Sequence, residues 1–170
     1  MEIKKDAETQ LVVCVLEQEE FACKIADVRE VLKMVRVTPL PRSLDYVEGV
    51  INLRGEVIPV LDLRKRFGLP GSERTEQSRI IIVEVQSRMV GLIVDSVSEV
   101  IRLPNKQIQE APNQVAGSRT HLIVGVGKID ERLLIILNLE RILTTEEQIA
   151  LDDISSAGRQ VAAVETVLCQ

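Results

Sequence analysis

Apolar residues gather along this chain in short runs rather than at helical spacing. Runs rich in Val, Ile and Leu occupy 11–16, 57–61, 80–85, 89–94, 122–126 and 133–137, each bounded by charged residues, Gly or Pro. That pattern reads as strands. Glu17-Gln18-Glu19-Glu20 separates 11–16 from 21–25, and Gln86-Ser87-Arg88 separates 80–85 from 89–94. Links so short predict hairpins. A third is predicted where Asn52-Leu53-Arg54-Gly55-Glu56 joins Gly49-Val50-Ile51 to 57–61, with Gly55 at positive φ.

The pattern recurs. Displaced by 69 residues, 11–31 falls on 80–100, and Val28, Glu30 and Val31 fall on Val97, Glu99 and Val100. Displaced by 76, Gly49-Val50 falls on Gly125-Val126, 57–63 on 133–139, and Asp62 on Asn138. The change in displacement lies in the loop around 104–117, where extra length costs little. Hairpin, xVxEV segment, Gly-Val turn and final strand keep their order, so the chain reads as an approximate duplication, 8–75 and 76–145.

Helical signals are few. Ser43 is placed to cap a turn through 44–48 closed by Gly49, and 63–67, stopped by Gly68 and Pro70, predicts another. Thr145 and Gln148 form a capping box before Ile149, Ala150 and Leu151, and 160–168 predicts a C-terminal helix. The expected architecture is mainly β: two small barrels or curled sheets side by side, closed so that strand edges are protected.

Composition narrows the functions. The 170 residues, 45% hydrophobic and 28% charged, suffice for one ordinary domain or two very small ones. Phe21, Tyr46 and Phe67 are the only aromatic residues, too few for stacking on single-stranded nucleic acid, and a net charge of −5 opposes a phosphate footprint. No nucleic-acid partner is expected. The start, Met1-Glu2-Ile3-Lys4-Lys5-Asp6, lacks the apolar stretch of a signal peptide, and the apolar runs fall short of the roughly 20 residues of a membrane span. A cytoplasmic location without membrane insertion is the expectation.

Candidate chemistry is thin. His121 is the one histidine, and Cys14, Cys23 and Cys169 show no zinc spacing and are odd in number; the first predicted hairpin lets Cys14 and Cys23 face each other, but neither a metal, a cofactor nor a disulfide is expected. Asp62 and Asp95 each close an apolar strand; such carboxylates are either caps or an acid–base pair, and no polar cleft is announced around them. Arg54 stands on the predicted tight turn, and Glu30 interrupts Val28-Arg29-Glu30-Val31-Leu32. Arg and Glu at the ends of neighbouring strands suit a forked pair. The matching turn of the second copy, Lys128-Ile129-Asp130-Glu131-Arg132, differs in charge.

The stretch Gly49-Val50-Ile51-Asn52-Leu53-Arg54-Gly55-Glu56-Val57-Ile58-Pro59-Val60-Leu61-Asp62-Leu63-Arg64 resembles the signature of the CheW family of chemotaxis coupling proteins. So do Glu19-Glu20-Phe21, Val28-Arg29-Glu30-Val31 and Val90-Gly91-Leu92-Ile93-Val94-Asp95-Ser96-Val97-Ser98-Glu99-Val100, and the resemblance runs from about Leu11 to Leu151. It implies a single domain, 8–151, of two similar five-stranded SH3-like β-barrels packed on a shared core, with short helices, a C-terminal helix and a tail, 152–170. It also implies a non-catalytic adaptor that binds the regulatory domain of the histidine kinase CheA and the cytoplasmic tips of chemoreceptors within membrane-associated arrays. By position, Arg54 and Glu30 match family residues tied to these contacts. Val28, Gly49, Asn52, Gly91, Val97 and Glu99 are weaker carry-overs, each also compatible with core or turn structure. An adaptor of the same fold in a pilus-motility or other kinase pathway remains an alternative. A small-ligand-binding barrel, or an enzyme built on Asp62 and Asp95, is a distant one.

Overall fold

The computed structural model describes residues 7–41, 45–70, 74–110 and 122–142. Strands β1 (Glu8–Leu16) and β2 (Glu19–Lys24) form the first hairpin, followed by a 3-10 turn and β3 (Val28–Lys33). Next come β4 (Val47–Leu53), β5 (Glu56–Asp62) and the short helix α1 (Leu63–Arg66). The second half runs through β6 (Arg79–Val85), β7 (Arg88–Val94), β8 (Ser96–Pro104), β9 (Ile108–Glu110), β10 (Ile123–Ile129), β11 (Arg132–Leu137) and α2 (Leu139–Ile142). The displacement of 69 residues carries β1, β2 and β3 onto β6, β7 and β8, and that of 76 carries β4, β5 and α1 onto β10, β11 and α2.

The two sheets do not follow the two halves. One holds β3-β6-β7-β5-β4 and the other β8-β1-β2-β11-β10-β9, so each half lends its first hairpin to the other's sheet. In the first sheet β3 pairs antiparallel with β6, and β5 runs parallel to β7 through Val60 opposite Gly91. In the second, β8 pairs with β1 and β11 runs parallel to β2 through Ile135 opposite Phe21. The first sheet closes where Thr38, beyond β3, exchanges two backbone hydrogen bonds of 2.9 Å with Val50 of β4. The second closes through β9, a sixth, three-residue strand that follows β8 and pairs with β10. Closure removes the exposed edges on which another chain could pair.

Strand alternation divides the apolar side chains among three cores. Ile51, Ile58, Val60, Ile80, Ile82 and Ile93 fill the first barrel, and Leu11, Ala22, Leu103 and Ile136 the second. The opposite faces of both hairpins meet in a shared core that includes Cys14, Leu16, Phe21, Cys23, Ile81, Val83, Val90, Leu92, Leu61 and Leu137. The Phe21 and Phe67 rings meet there at 5.2 Å. The two barrels on a common core are the architecture the resemblance implied.

Several local expectations are corrected. No helical turn spans 44–48: Val47 and Glu48 already belong to β4, while Ser43 and Leu44 lie outside the described residues. The segment is pulled into the sheet by the Thr38–Val50 pairing, and Gly49 is a strand residue at φ +147° rather than a helix stop. The bends at 17–20 and 86–88 are tighter than the polarity of the chain indicated. Glu17-Gln18 and Gln86-Ser87 are the whole loops, with Glu17, Gln86 and Ser87 at positive φ. Cys14 lies opposite Phe21 and Cys23 opposite Val12, so the two thiols do not face each other and both are free. His121, Cys169, the Thr145 capping box, the expected C-terminal helix and the tail 152–170 lie outside the described residues.

Gly49 and Gly55 should respond differently to a methyl group. A Cβ on Gly49 would stand 2.0 Å from the Thr38 carbonyl oxygen, whereas one on Gly55 meets nothing within 4 Å. Gly49→Ala is expected to cost about 2–4 kcal/mol in urea unfolding, combining strain with a broken closure. Gly55→Ala is expected to cost about 1 kcal/mol, the left-handed penalty alone.

Candidate functional site

The Arg54–Glu30 pair forms, and the closed barrel is what brings it together. β3 and β4 stand at opposite ends of the first sheet's strand order, so a pair between them exists only because the sheet curls shut. Arg54 and Gly55 are the two central residues of the β4–β5 turn, at φ +51° and +86°. Positive φ at both matches the right-handed twist of the strands. The Asn52 side chain pins the turn by accepting the Gly55 amide at 2.8 Å. From this tip the Arg54 guanidinium forks onto both Glu30 carboxylate oxygens, with Arg54 72% and Glu30 28% exposed. The hydrogen bonds to Glu30 hold the guanidinium above its ordinary pKa. By alternation Glu30 shares the inner face of β3 with Leu32, which packs on the first barrel's core, so the pair sits at the rim of that core. Beside it Arg29 binds Glu84 of β6.

The second barrel carries a related but different cluster. Glu99, the counterpart of Glu30, binds Arg132 of β11 at 2.8 Å, and Arg132 also forks onto Glu20 of β2 at 2.8 and 3.0 Å. These hydrogen bonds raise the Arg132 pKa. The turn beside it presents exposed Asp130 and Glu131 where the first barrel presents Arg54. Two similar barrels thus end in turns of opposite charge.

The other candidates sort by burial. Val28 and Val97, repeat counterparts at the starts of β3 and β8, are partly buried against the shared core. Gly91 is inside the first barrel, where a Cβ would stand 2.9 Å from Ile80 Cγ2 and 3.2 Å from Val60 Cγ2. Gly49 serves closure, and Asn52 serves the turn. None of these five touches the Arg54–Glu30 pair in the described hydrogen-bond and ion-pair network.

Asp62 and Asp95 are tied to arginines. Asp62 is the cap it resembled: it accepts the Arg64 amide at 2.9 Å and the Lys65 amide at 3.4 Å, and its other oxygen takes Arg74 at 2.8 Å. Asp95 is not a helix cap, because β8 follows it directly. Its oxygens accept the Arg64 guanidinium, the Nε contact being 2.7 Å, and the Glu17 amide at 2.8 Å. Burial pushes the Asp95 carboxyl up, but the Arg64 fork and the Glu17 amide outweigh it and leave the pKa below its ordinary value. Arg64, 9% exposed, is marked in the sequence only as part of the Asp62-Leu63-Arg64 stretch, because its burial and its partner Asp95 are set by tertiary contact. Burial also drives the thiols of Cys14 and Cys23 up, the latter to about 12, so neither is a nucleophile. Among the described residues no cluster of His, Cys, Asp or Glu could hold a metal, and no helix is long and apolar enough to cross a membrane.

Two SH3-like barrels on one core, each with an exposed arginine–glutamate pair, are the architecture of a scaffolding protein. The chain belongs to the family described by the CheW-like domain, whose model matches residues 10–147. It is 32% identical over 148 residues to chemotaxis protein CheW of Klebsiella aerogenes, covering 87% of this chain and 89% of that one. Chemotaxis protein CheW of Bacillus subtilis is 37% identical over 137 residues, covering 81% and 88%. The crystal structure of the scaffolding protein TtCheW from Thermoanaerobacter tengcongensis superposes with a TM-score of 0.76 at 38% identity, over 82% of this chain and 94% of that one. The family is one of chemotaxis coupling adaptors.

A pH dependence follows from Asp95. Its folded-state carboxyl keeps its charge to lower pH than the unfolded one. The stabilisation is therefore complete above the ordinary value of 3.8 and is lost as pH falls through the lowered one. Urea midpoints measured from pH 7 downward should drop below about pH 4, and Asp95→Asn should flatten that drop while costing about 1–3 kcal/mol at neutral pH.

Proposed function

We propose that this chain couples a CheA-type histidine kinase, through its regulatory domain, to the cytoplasmic tips of chemoreceptors, and that the Arg54–Glu30 rim is one of its docking faces. The observation that carries the reading is the placement of Arg54. A charged fork stands on a rigid two-residue turn, mostly exposed, and is held in one direction by Glu30. An arginine presented that way loses little freedom on binding and is the residue type that dominates contact energies. Few aromatics are available to anchor an interface, so aliphatic side chains must supply the apolar contact.

Val31 on β3 and Val100 on β8, repeat counterparts, are 41% and 54% exposed, giving each barrel an outward valine at the same position. Aliphatic positions of this kind suit the apolar stripe of a helical receptor tip. Val28, Gly49, Asn52, Gly91, Val97 and Glu99 act in this reading mainly by shaping the barrels and turns that present these faces. The role needs no catalysis, and both strand-end carboxylates that an enzyme would have used are occupied by arginines. The protein would work in the cytoplasm, recruited to receptor arrays at the membrane.

Titration of the kinase regulatory domain from the same organism against wild type and Arg54→Ala, at two salt concentrations, tests the proposal. Micromolar binding that weakens about tenfold in the variant is expected, with the larger loss at low salt and an unchanged thermal midpoint. Equal affinities would remove Arg54 from the interface, and an unfolded variant would make it structural. A folded wild type that ignores this kinase would point to the kinase of another pathway.

A further inference from the structure

We propose that Arg64, Asp95 and the Glu17 amide form a one-sided clamp that holds the two barrels in a single relative orientation, with Asp95 as its positioning residue. The three groups belong to different parts of the fold. Arg64 lies on α1, which leaves β5 of the first barrel, and Glu17 is in the β1–β2 turn of the second. Asp95 is the single residue between β7 of the first barrel and β8 of the second. One carboxylate thus receives a guanidinium from one barrel and a backbone amide from the other, while its own amide donates to the Val15 carbonyl at 3.0 Å. A second link runs the same way: Arg66 of α1 donates from Nε to the Ile142 carbonyl of α2 at 2.6 Å.

The duplication makes the clamp's uniqueness visible. The positions equivalent to Asp95, Glu17 and Arg64 are Ala26, Gln86 and Glu140. Ala26 has no side-chain oxygen to accept a fork, and Glu140 has the opposite charge to Arg64, so these positions do not repeat the clamp. The connections differ as well, one residue between β7 and β8 but a three-residue 3-10 turn, Ile25–Asp27, between β2 and β3. Apart from the Phe21–Phe67 contact the shared core between the barrels is mostly aliphatic, and apolar contact of that kind is non-directional. Charge-assisted, forked hydrogen bonds supply the direction that such a core lacks. The pinned end therefore sets the angle between the barrels.

The test reads that angle in the full chain. Nitroxide labels at Lys33→Cys on β3 and Lys128→Cys on β10 report the distance between barrels, and labels at Lys33→Cys and Glu56→Cys report one within the first barrel. Cys169→Ser removes a competing thiol, and buried Cys14 and Cys23 are spared from labelling. Electron–electron resonance should give one narrow inter-barrel distance in the wild-type background. Asp95→Asn should broaden it or add a second distance while the intra-barrel distance stays unchanged. Arg64→Lys, which keeps the charge and loses the fork, should do the same and serves if Asp95→Asn fails to fold. A distribution as narrow in the folded variants as in wild type would overturn the proposal. So would one already broad in wild type, or a loss of the intra-barrel distance in both variants, which would make the clamp part of the barrel fold.

Discussion

The exchange of hairpins governs this structure. β1–β2 and β6–β7 must be buried on both faces at once, one face inside a barrel and the other against the opposite barrel. A strand in that position has no solvent side, so its sequence is apolar throughout rather than alternating. Leu11-Val12-Val13-Cys14 and Ile80-Ile81-Ile82-Val83 are both of this kind, all eight residues at most 4% exposed. Because each barrel is completed by strands from the other half of the chain, neither can fold as a unit on its own half. Stability is therefore a property of the pair, and a core substitution in either hairpin is felt in two cores.

On this near-symmetric frame the chemistry is asymmetric. The counterparts Glu30 and Glu99 both carry an arginine, but Arg54 reaches its partner from a turn tip, whereas Arg132 reaches its two partners from the first residue of β11. The neighbouring turns differ in sign, Arg54 against Asp130 and Glu131. Duplication supplies two surfaces of one shape, and a handful of charges makes them unlike. An adaptor needs that combination, since two identical faces would bind the same partner twice.

How much of this was legible depended on how local each signal was. Strands buried on both faces announced themselves as continuous apolar runs, and the β4–β5 turn announced itself through Gly55. The Arg54–Glu30 pair was legible because Glu30 interrupts an apolar stretch and Arg54 stands on the turn that Gly55 marks. β8 was not read as a strand because it is wet on one side and carries Ser98, Glu99 and Arg102 among its valines. The beginning of β4 was misread because its pairing with Thr38 is tertiary, and Ser43 supplied a competing helix-start signal. Asp95 was misread for the same kind of reason. An Asp ending an apolar strand looks alike whether it caps a helix or binds an arginine, and Arg64 lies 31 residues away.

The exchange itself could not have been read from the pattern. Two halves with the same order of elements offer two solutions, each half closing its own barrel or each lending its hairpin to the other. Every strand keeps the same neighbours in kind, the same alternation and the same turns in both. Only the link between hairpin and third strand decides, and here it is short: one residue between β7 and β8, and a 3-10 turn between β2 and β3. Hairpin and third strand pair in different sheets, β7 in one and β8 in the other, so the chain passes from barrel to barrel through that link. A carboxylate at Asp95 therefore stands at the crossing point, where a single side chain is within reach of both barrels, and the chain's one forked arginine–aspartate contact between them is found there among the described residues.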